Sequence, residues 1–239
     1  MIGIVIPAHD EEGSIADCVS AARVAAAHPG LAGEEVVVLV VLDACRDRTG
    51  SLAEAAGART AAVSFANVGA ARAAGADVLL EEGARWLAFT DADTLVSPGW
   101  LVAQLALKAD AVCGSVSVED WAVHGVHALS LAVHFRDTYS DCEGHRHVHG
   151  ANLGVAAEAY RVAGGFSALA CSEDVALVEA LERTGARIAW SALPRVVTSA
   201  RPDARARGGF GDTLLAVTAA RLALAAAAAA TPVAVAVSA

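Results

Sequence analysis

The chain has 239 residues, 56% of them hydrophobic, with a formal net charge of −10. It is long enough to bury a sizeable core. Its acidity argues against a nucleic-acid partner, because a duplex binder needs clustered Lys and Arg to displace counterions. The five cysteines (Cys18, Cys45, Cys113, Cys142 and Cys171) are scattered and contain no C-x-x-C pair, which argues against a disulfide framework or a zinc site and points to a reducing, cytoplasmic setting.

Gly3 onward reads as strand without a basic leader, so no signal peptide is expected. The Ile/Val-rich run Ile2 to Pro7 predicts a buried strand. Ser14 can cap a helix to Ala27 with Asp17 in its first turn. Val36 to Leu42 is apolar at every position, which suits a parallel sheet covered on both faces. Thr49 to Ala56 reads as helix and Thr60 to Val63 as strand. A helix starts near Gly69 and extends toward Glu82. Trp86 to Thr90 is the next strand, ending directly at Asp91. Gly99 to Lys108 is helical and Ala111 to Val118 a strand. The second half is less regular. Val126 to Phe135 reads as helix, Asp141 to Asn152 as a His-rich loop, and Ala156 to Ala163 as a short helix before Gly164-Gly165-Phe166. Glu173 to Thr184 is amphipathic, with Val175, Val178 and Leu181 on its apolar side. Ile188 to Trp190 and Val196 to Thr198 read as separate strand-like runs. From Leu222 onward the chain is uncharged and mostly Ala with Pro232. That makes a poor membrane span; a membrane-surface role is open but not favoured. The expected division is residues 1–212 as one domain and 213–239 as an Ala-rich helix and tail.

Strands alternating with helices over the first 120 residues imply an α/β/α sandwich with a mainly parallel sheet and right-handed crossovers. Ligands bind such sheets at the carboxyl ends of the strands. Three of those ends carry acidic groups: His9-Asp10-Glu11-Glu12, Asp43 with Asp47, and Asp91 with Asp93.

Two carboxylates at i and i+2 after a strand can converge on one hard cation. Mg²⁺ or Mn²⁺ held there would bridge a diphosphate and neutralise the leaving group. Taken alone, Asp91-Ala92-Asp93 is equally a solvated turn. Glu173-Asp174 either favours the dipole of the helix it opens or supplies a general base for an attacking hydroxyl. His145, His147 and His149 share one face if extended, as a polar loop or a metal-binding set. Arg72, at a helix start, is either an ordinary exposed helix arginine or one that can reach a phosphate or a base. Arg201, Arg205 and Arg207, interleaved with Gly208 and Gly209, are either a surface loop or a segment that closes over a diphosphate.

The order of these pieces carries more than any one of them. Ile4-Val-Ile-Pro-Ala-His-Asp-Glu-Glu12, Leu42-Asp-Ala-Cys-Arg-Asp-Arg-Thr49, Asn67 to Gly75, Thr90-Asp-Ala-Asp93, Gly150-Ala-Asn-Leu-Gly154, Gly164-Gly-Phe166 and Ser172-Glu-Asp174 together resemble family 2 glycosyltransferases, from about Ile4 to about Gly211. The resemblance implies the Rossmann-like GT-A fold, a UDP-, GDP- or dTDP-sugar donor, a divalent cation and inversion at the anomeric carbon. It implies that Pro7, Ala8 and Glu11 line the nucleotide site, that Asp43 contacts the base and that Arg72 lies near the nucleotide. It makes Asp91 and Asp93 the metal–diphosphate motif, Asp93 being the direct ligand, and Asp174 the catalytic base with Glu173 its acceptor-side neighbour. The chain departs from the family at Leu42, where an acidic residue is common, and over Val197 to Arg201, where a metal-binding His is common; His149 is a candidate substitute. A retaining transferase on the same scaffold and a nucleotide-binding protein without transferase activity are the alternatives. The acceptor is not legible.

Overall fold

The computed structural model describes residues 1–202 and, beyond them, Ala219. Arg205, Arg207, Gly208, Gly209 and, apart from Ala219, the segment expected beyond residue 212 lie outside the described residues. In chain order the strands are β1 (Ile2–Ala8), β2 (Val36–Asp43), β3 (Arg59–Val63), β4 (Trp86–Phe89), β5 (Thr94–Val96), β6 (Ala111–Ser117), β7 (Leu153–Ala156) and β8 (Ile188–Thr198). The helices are α1 (Ile15–Ala26), α2 (Thr49–Ala55), α3 (Val68–Glu81), α4 (Trp100–Ala106), α5 (Ala128–Thr138), α6 (Ala157–Ala163) and α7 (Glu173–Arg183).

The strands form one sheet in the order β3-β2-β1-β4-β7-β6-β8-β5. The β3-β2-β1-β4 half is parallel throughout. β7 runs antiparallel between β4 and β6, and β5 antiparallel to β8. All seven residues of β1 are buried. Gly3 and Val5 face Leu79 and Gly75 of α3, and the alternate residues Ile2, Ile4 and Ile6 are also fully buried, as a strand covered on both faces requires. Pro7 cannot donate to a ladder, and it comes after β4 has stopped pairing at the Val5–Phe89 register. The core on the α3 side runs from Val5, Leu39 and Phe89 through Leu153 and Tyr160 to Leu177 and Leu181. On the other side α1 packs with α2 and α4 and against β2 and β5.

Several sequence expectations change. The stretch after Asp93 contains β5, and the polar Gly150–Asn152 segment leads into β7. The two runs near residue 190 are one strand, with a register shift opposite Gly114/Ser115 of β6. Asn152, fully buried, stitches that irregularity: its Nδ2 donates to Ser115 O (2.7 Å) and Pro194 O (2.8 Å), while its Oδ1 accepts from Trp100 Nε1 (2.8 Å). On α7, Val175 is exposed and Leu177 takes its place beside Val178 and Leu181. No helix among the described residues is long and apolar enough to cross a membrane.

The chain divides into two compact units. The first, Met1–Glu119 with Ser140–Ser199, holds the whole sheet. Of the described residues, the second contains Asp120–Tyr139, residues 200–202 and Ala219. In it, a 3-10 segment bent at Gly125 precedes α5, so the helix expected from Val126 starts at Ala128. Trp121, Phe135 and Tyr139 form an aromatic row there, with ring centroids 5.6 and 4.7 Å apart.

Candidate active site

Parallel β2, β1 and β4 end at one edge of the sheet, so the three acidic clusters come together as expected. The β1 and β2 ends are knitted by hydrogen bonds. Asp10 Oδ1 accepts from Arg46 N (2.7 Å), and Glu12 N donates to Asp47 Oδ2 (3.0 Å). Glu11 N donates to Thr49 Oγ1 (2.7 Å), and Ser14 Oγ donates to Glu11 Oε2 (3.2 Å). Pro7, Ala8 and Glu11 are all buried at this edge. Ser14 occupies the N-cap position of α1, but its hydroxyl serves Glu11 and not the helix.

Asp43 is 4% exposed. Its Oδ1 accepts from Phe65 N (2.6 Å) and Ala66 N (2.9 Å), and its Oδ2 from Asn67 N (2.8 Å). The carboxylate therefore fixes the loop from β3 into α3, which Asn67 then caps through Ala70 N (2.8 Å). Replacing Asp43 by Ala leaves three backbone donors without this acceptor. At about 1–3 kcal/mol for each unsatisfied buried donor, Asp43→Ala is expected to lower the melting temperature by several degrees. An unchanged thermal melt would contradict this.

Arg72 is 3% exposed and lies beneath the site. Its Nη2 donates to Asp91 Oδ1 (2.5 Å) and its Nη1 to Glu173 Oε1. Phe166 lies under the guanidinium, 5.6 Å from ring centroid to Cζ. Burial pushes the guanidinium pKa down, but the Asp91 and Glu173 charges outweigh it and raise it. The backbone of Gly150 is pressed against Arg72 so closely that a Cβ there would overlap the guanidinium. Gly165, at φ +71°, lies on the Tyr160 ring, whose hydroxyl accepts from Phe166 N (3.1 Å). Phe166 meets Phe89 edge to face at 4.9 Å. The Gly-Gly-Phe motif thus supports the arginine, and the arginine ties the end of β4 to the start of α7.

Asp174, next to Glu173, accepts from Gly150 N at Oδ2 (2.8 Å) and from Val175 N at Oδ1 (2.8 Å). Both carboxylates of the Glu-Asp pair are therefore held, one by Arg72 and the other by backbone donors. Beneath the Asp91 turn, Cys18 donates its Sγ–H to Asp91 O (3.2 Å). Burial, then the Asp93 and Asp91 charges, push its thiol pKa up, so it is an inert neighbour.

The three histidines do share one face: the His145–His147 and His147–His149 rings stack at 5.5 and 6.0 Å. Burial lowers His149 to about 4 against the opposing pull of Asp174, so it is neutral at pH 7. Among the described residues no three His, Cys, Asp or Glu side chains gather as a cation site. Asp91, whose side chain is 36% exposed, and partly exposed Asp93 offer two hard oxygen donors at the strand edge. That set fits Mg²⁺ or Mn²⁺, which keeps several waters and takes one or two carboxylates together with substrate phosphates.

Sequence reasoning assigned no role to Cys18, Thr49 or Phe65, and placed Asn152 only within a motif. Each works through partners distant in the chain, and only Phe65, an aromatic in a polar loop, carried a local signal.

The parallel half-sheet, its antiparallel extension and the acidic edge make up the GT-A architecture. Residues 3–161 match the model of glycosyl transferase family 2, and the chain belongs to that family. No protein of curated function matches it in sequence. Among solved structures it is similar to S. aureus TarS (residues 1-349) in complex with UDP-GlcNAc, at a TM-score of 0.63 and 12% identity over 92% of this chain and 66% of that one. A mycobacterial protein superposes at 0.59 with 21% identity over 92% and 74%. Glucosyl-3-phosphoglycerate synthase from Mycobacterium tuberculosis, in complex with Mn²⁺, UDP-glucose and phosphoglyceric acid, superposes at 0.57 with 17% identity over 93% and 80%. The chain thus spans just under two thirds of the TarS chain's length.

Proposed function

We propose that the protein transfers a sugar from a nucleoside-diphosphate sugar to an acceptor hydroxyl, with inversion at the anomeric carbon, in the cytoplasm. The observation that carries this reading is the Arg72 bridge, which joins the strand-edge Asp91 to the Glu173-Asp174 pair and so unites a donor-side carboxylate with a candidate base. The TarS complex with UDP-GlcNAc and the synthase complex with Mn²⁺ and UDP-glucose support a nucleotide-sugar and a divalent cation for this chain too.

In this reading Pro7, Ala8 and Glu11 line the nucleotide end of the edge. Asp93, with Asp91, would hold a divalent cation, which would supply positive charge for the departing diphosphate. Asp174 takes the proton of the acceptor hydroxyl as that oxygen attacks the anomeric carbon. The new C–O bond forms while the bond from that carbon to the diphosphate breaks, and the electron pair leaves with the nucleoside diphosphate. Glu173 is engaged by the Arg72 guanidinium, so proton transfer falls to Asp174. Arg72 acts through both carboxylates and touches no reactant. Residues 1–212 carry this chemistry.

Asp93→Ala is expected to abolish the Mn²⁺-dependent part of UDP-sugar binding, seen as loss of the Mn²⁺-dependent thermal shift that ligand binding produces by mass action. A variant that keeps the wild-type shift would remove Asp93 from the cation site.

A further inference from the structure

Among the described residues, Phe65 is the only Phe, Tyr or Trp that is exposed, at 53%. It sits two residues beyond the end of β3, beside the Asp43–Val63 pair that closes the β2–β3 register. This is the same sheet edge that carries the β1 and β2 clusters. Phe65 does not sit on a loose loop. Asp43 takes the N–H groups of Phe65, Ala66 and Asn67 in succession, Ala66 is held at φ 49°, and Asn67 both caps α3 and donates from Nδ2 to Leu169 O (2.8 Å). A large apolar ring left in water on a fixed backbone is pre-organised for a flat partner.

The same hydrogen bonds bear on what Asp43 can still do. A carboxylate offers about four lone-pair sites, and three are occupied by the loop it holds. Its residual exposure is 4%. On its β1 side the His9 ring bonds Asp43 O (2.6 Å). Little of Asp43 is left to read the hydrogen-bonding edge of a base, whereas Phe65 is 53% exposed.

We propose that Phe65 is the stacking platform for the donor's nucleobase, and that the base is gripped by its face and not by an edge contact to Asp43, so that the site tolerates different bases. This rests on the nucleotide-sugar reading above. Stacking on an aromatic ring is tolerant of base identity because every base has a π-face.

The test is equilibrium binding of UDP, GDP and ADP, and of inorganic pyrophosphate as the base-free control, in the presence of Mn²⁺. Wild type is compared with Phe65→Ala and Phe65→Trp, and thermal melts establish that each variant is folded. The three nucleotides should bind wild type within about tenfold of one another. Phe65→Ala should weaken all three by roughly tenfold, as expected for the loss of one base–aromatic stack, and leave pyrophosphate unchanged. Phe65→Trp should retain wild-type affinity. Unchanged nucleotide affinity in Phe65→Ala would overturn the stacking role, and a preference of more than a hundredfold for one base in wild type would overturn the face-only grip. In both cases the nucleotide-sugar reading survives. If wild type binds no nucleotide at all, that reading fails and this inference fails with it.

Discussion

Asp174→Asn is expected to cut turnover by about 10²–10⁴-fold, the range general-base catalysis contributes, while leaving UDP-sugar affinity within about twofold of wild type. The substitution suits the local geometry. Asn keeps the shape of the side chain, and its Oδ1 can accept from one of the two donors that hold it, Gly150 N or Val175 N, so shape and one hydrogen bond are kept and basicity removed. The assay does not need the acceptor: slow hydrolysis of the donor, with water as the attacking hydroxyl, releases nucleoside diphosphate. Glu173→Gln gives a different pattern. It turns the Arg72–Glu173 ion pair into a neutral hydrogen bond, so stability and donor binding should suffer along with turnover. If Asp174→Asn hydrolyses donor at the wild-type rate, the base lies elsewhere.

The parts of this fold legible from sequence are those whose cause is local. β1, β2 and β4 are continuous apolar runs because they lie inside a sheet covered on both faces, and their ends are marked by the abrupt change to Asp and Glu. The Asp91-Ala92-Asp93 triplet gained meaning from that position, not from its spelling. What escaped was non-local. β5 has three residues and β7 four, too short for a period to register, and both exist through antiparallel partners far away in the chain. β8 crosses Pro194 only because a register shift and the buried Asn152 accommodate it. The Val175 expectation failed because a three-residue pattern fits more than one helical stripe. At the site, the residue types were readable but their partners were not: Arg72 meets carboxylates 19 and 101 residues away, and Asp43 serves a loop 22 to 24 residues on.

Those long-range partners make Arg72→Met the change with the largest expected effect on stability. Removing the guanidinium leaves Glu173, whose side chain is 7% exposed, with an uncompensated buried charge. Breaking a buried ion pair by deleting one partner costs about 3–5 kcal/mol. For a protein of this size each 1 kcal/mol lowers the melting temperature by about 2–4 °C, so a fall of roughly 6–20 °C is expected. Met keeps much of the packing over Phe166, which assigns the loss to charge and not to a cavity. Adding Glu173→Leu should then recover part of the loss, because a buried ion pair replaced as a whole by apolar groups is often close to neutral. Turnover should not recover, since Asp91 remains without its partner and α7 is no longer tied to β4. Arg72→Lys separates charge from geometry: one ammonium replaces the planar fork that meets both carboxylates, so stability should be partly kept while turnover falls. A wild-type melting temperature in Arg72→Met would show that the bridge contributes nothing to the fold, and wild-type turnover in Arg72→Lys would show that the site does not depend on both carboxylates being held at once.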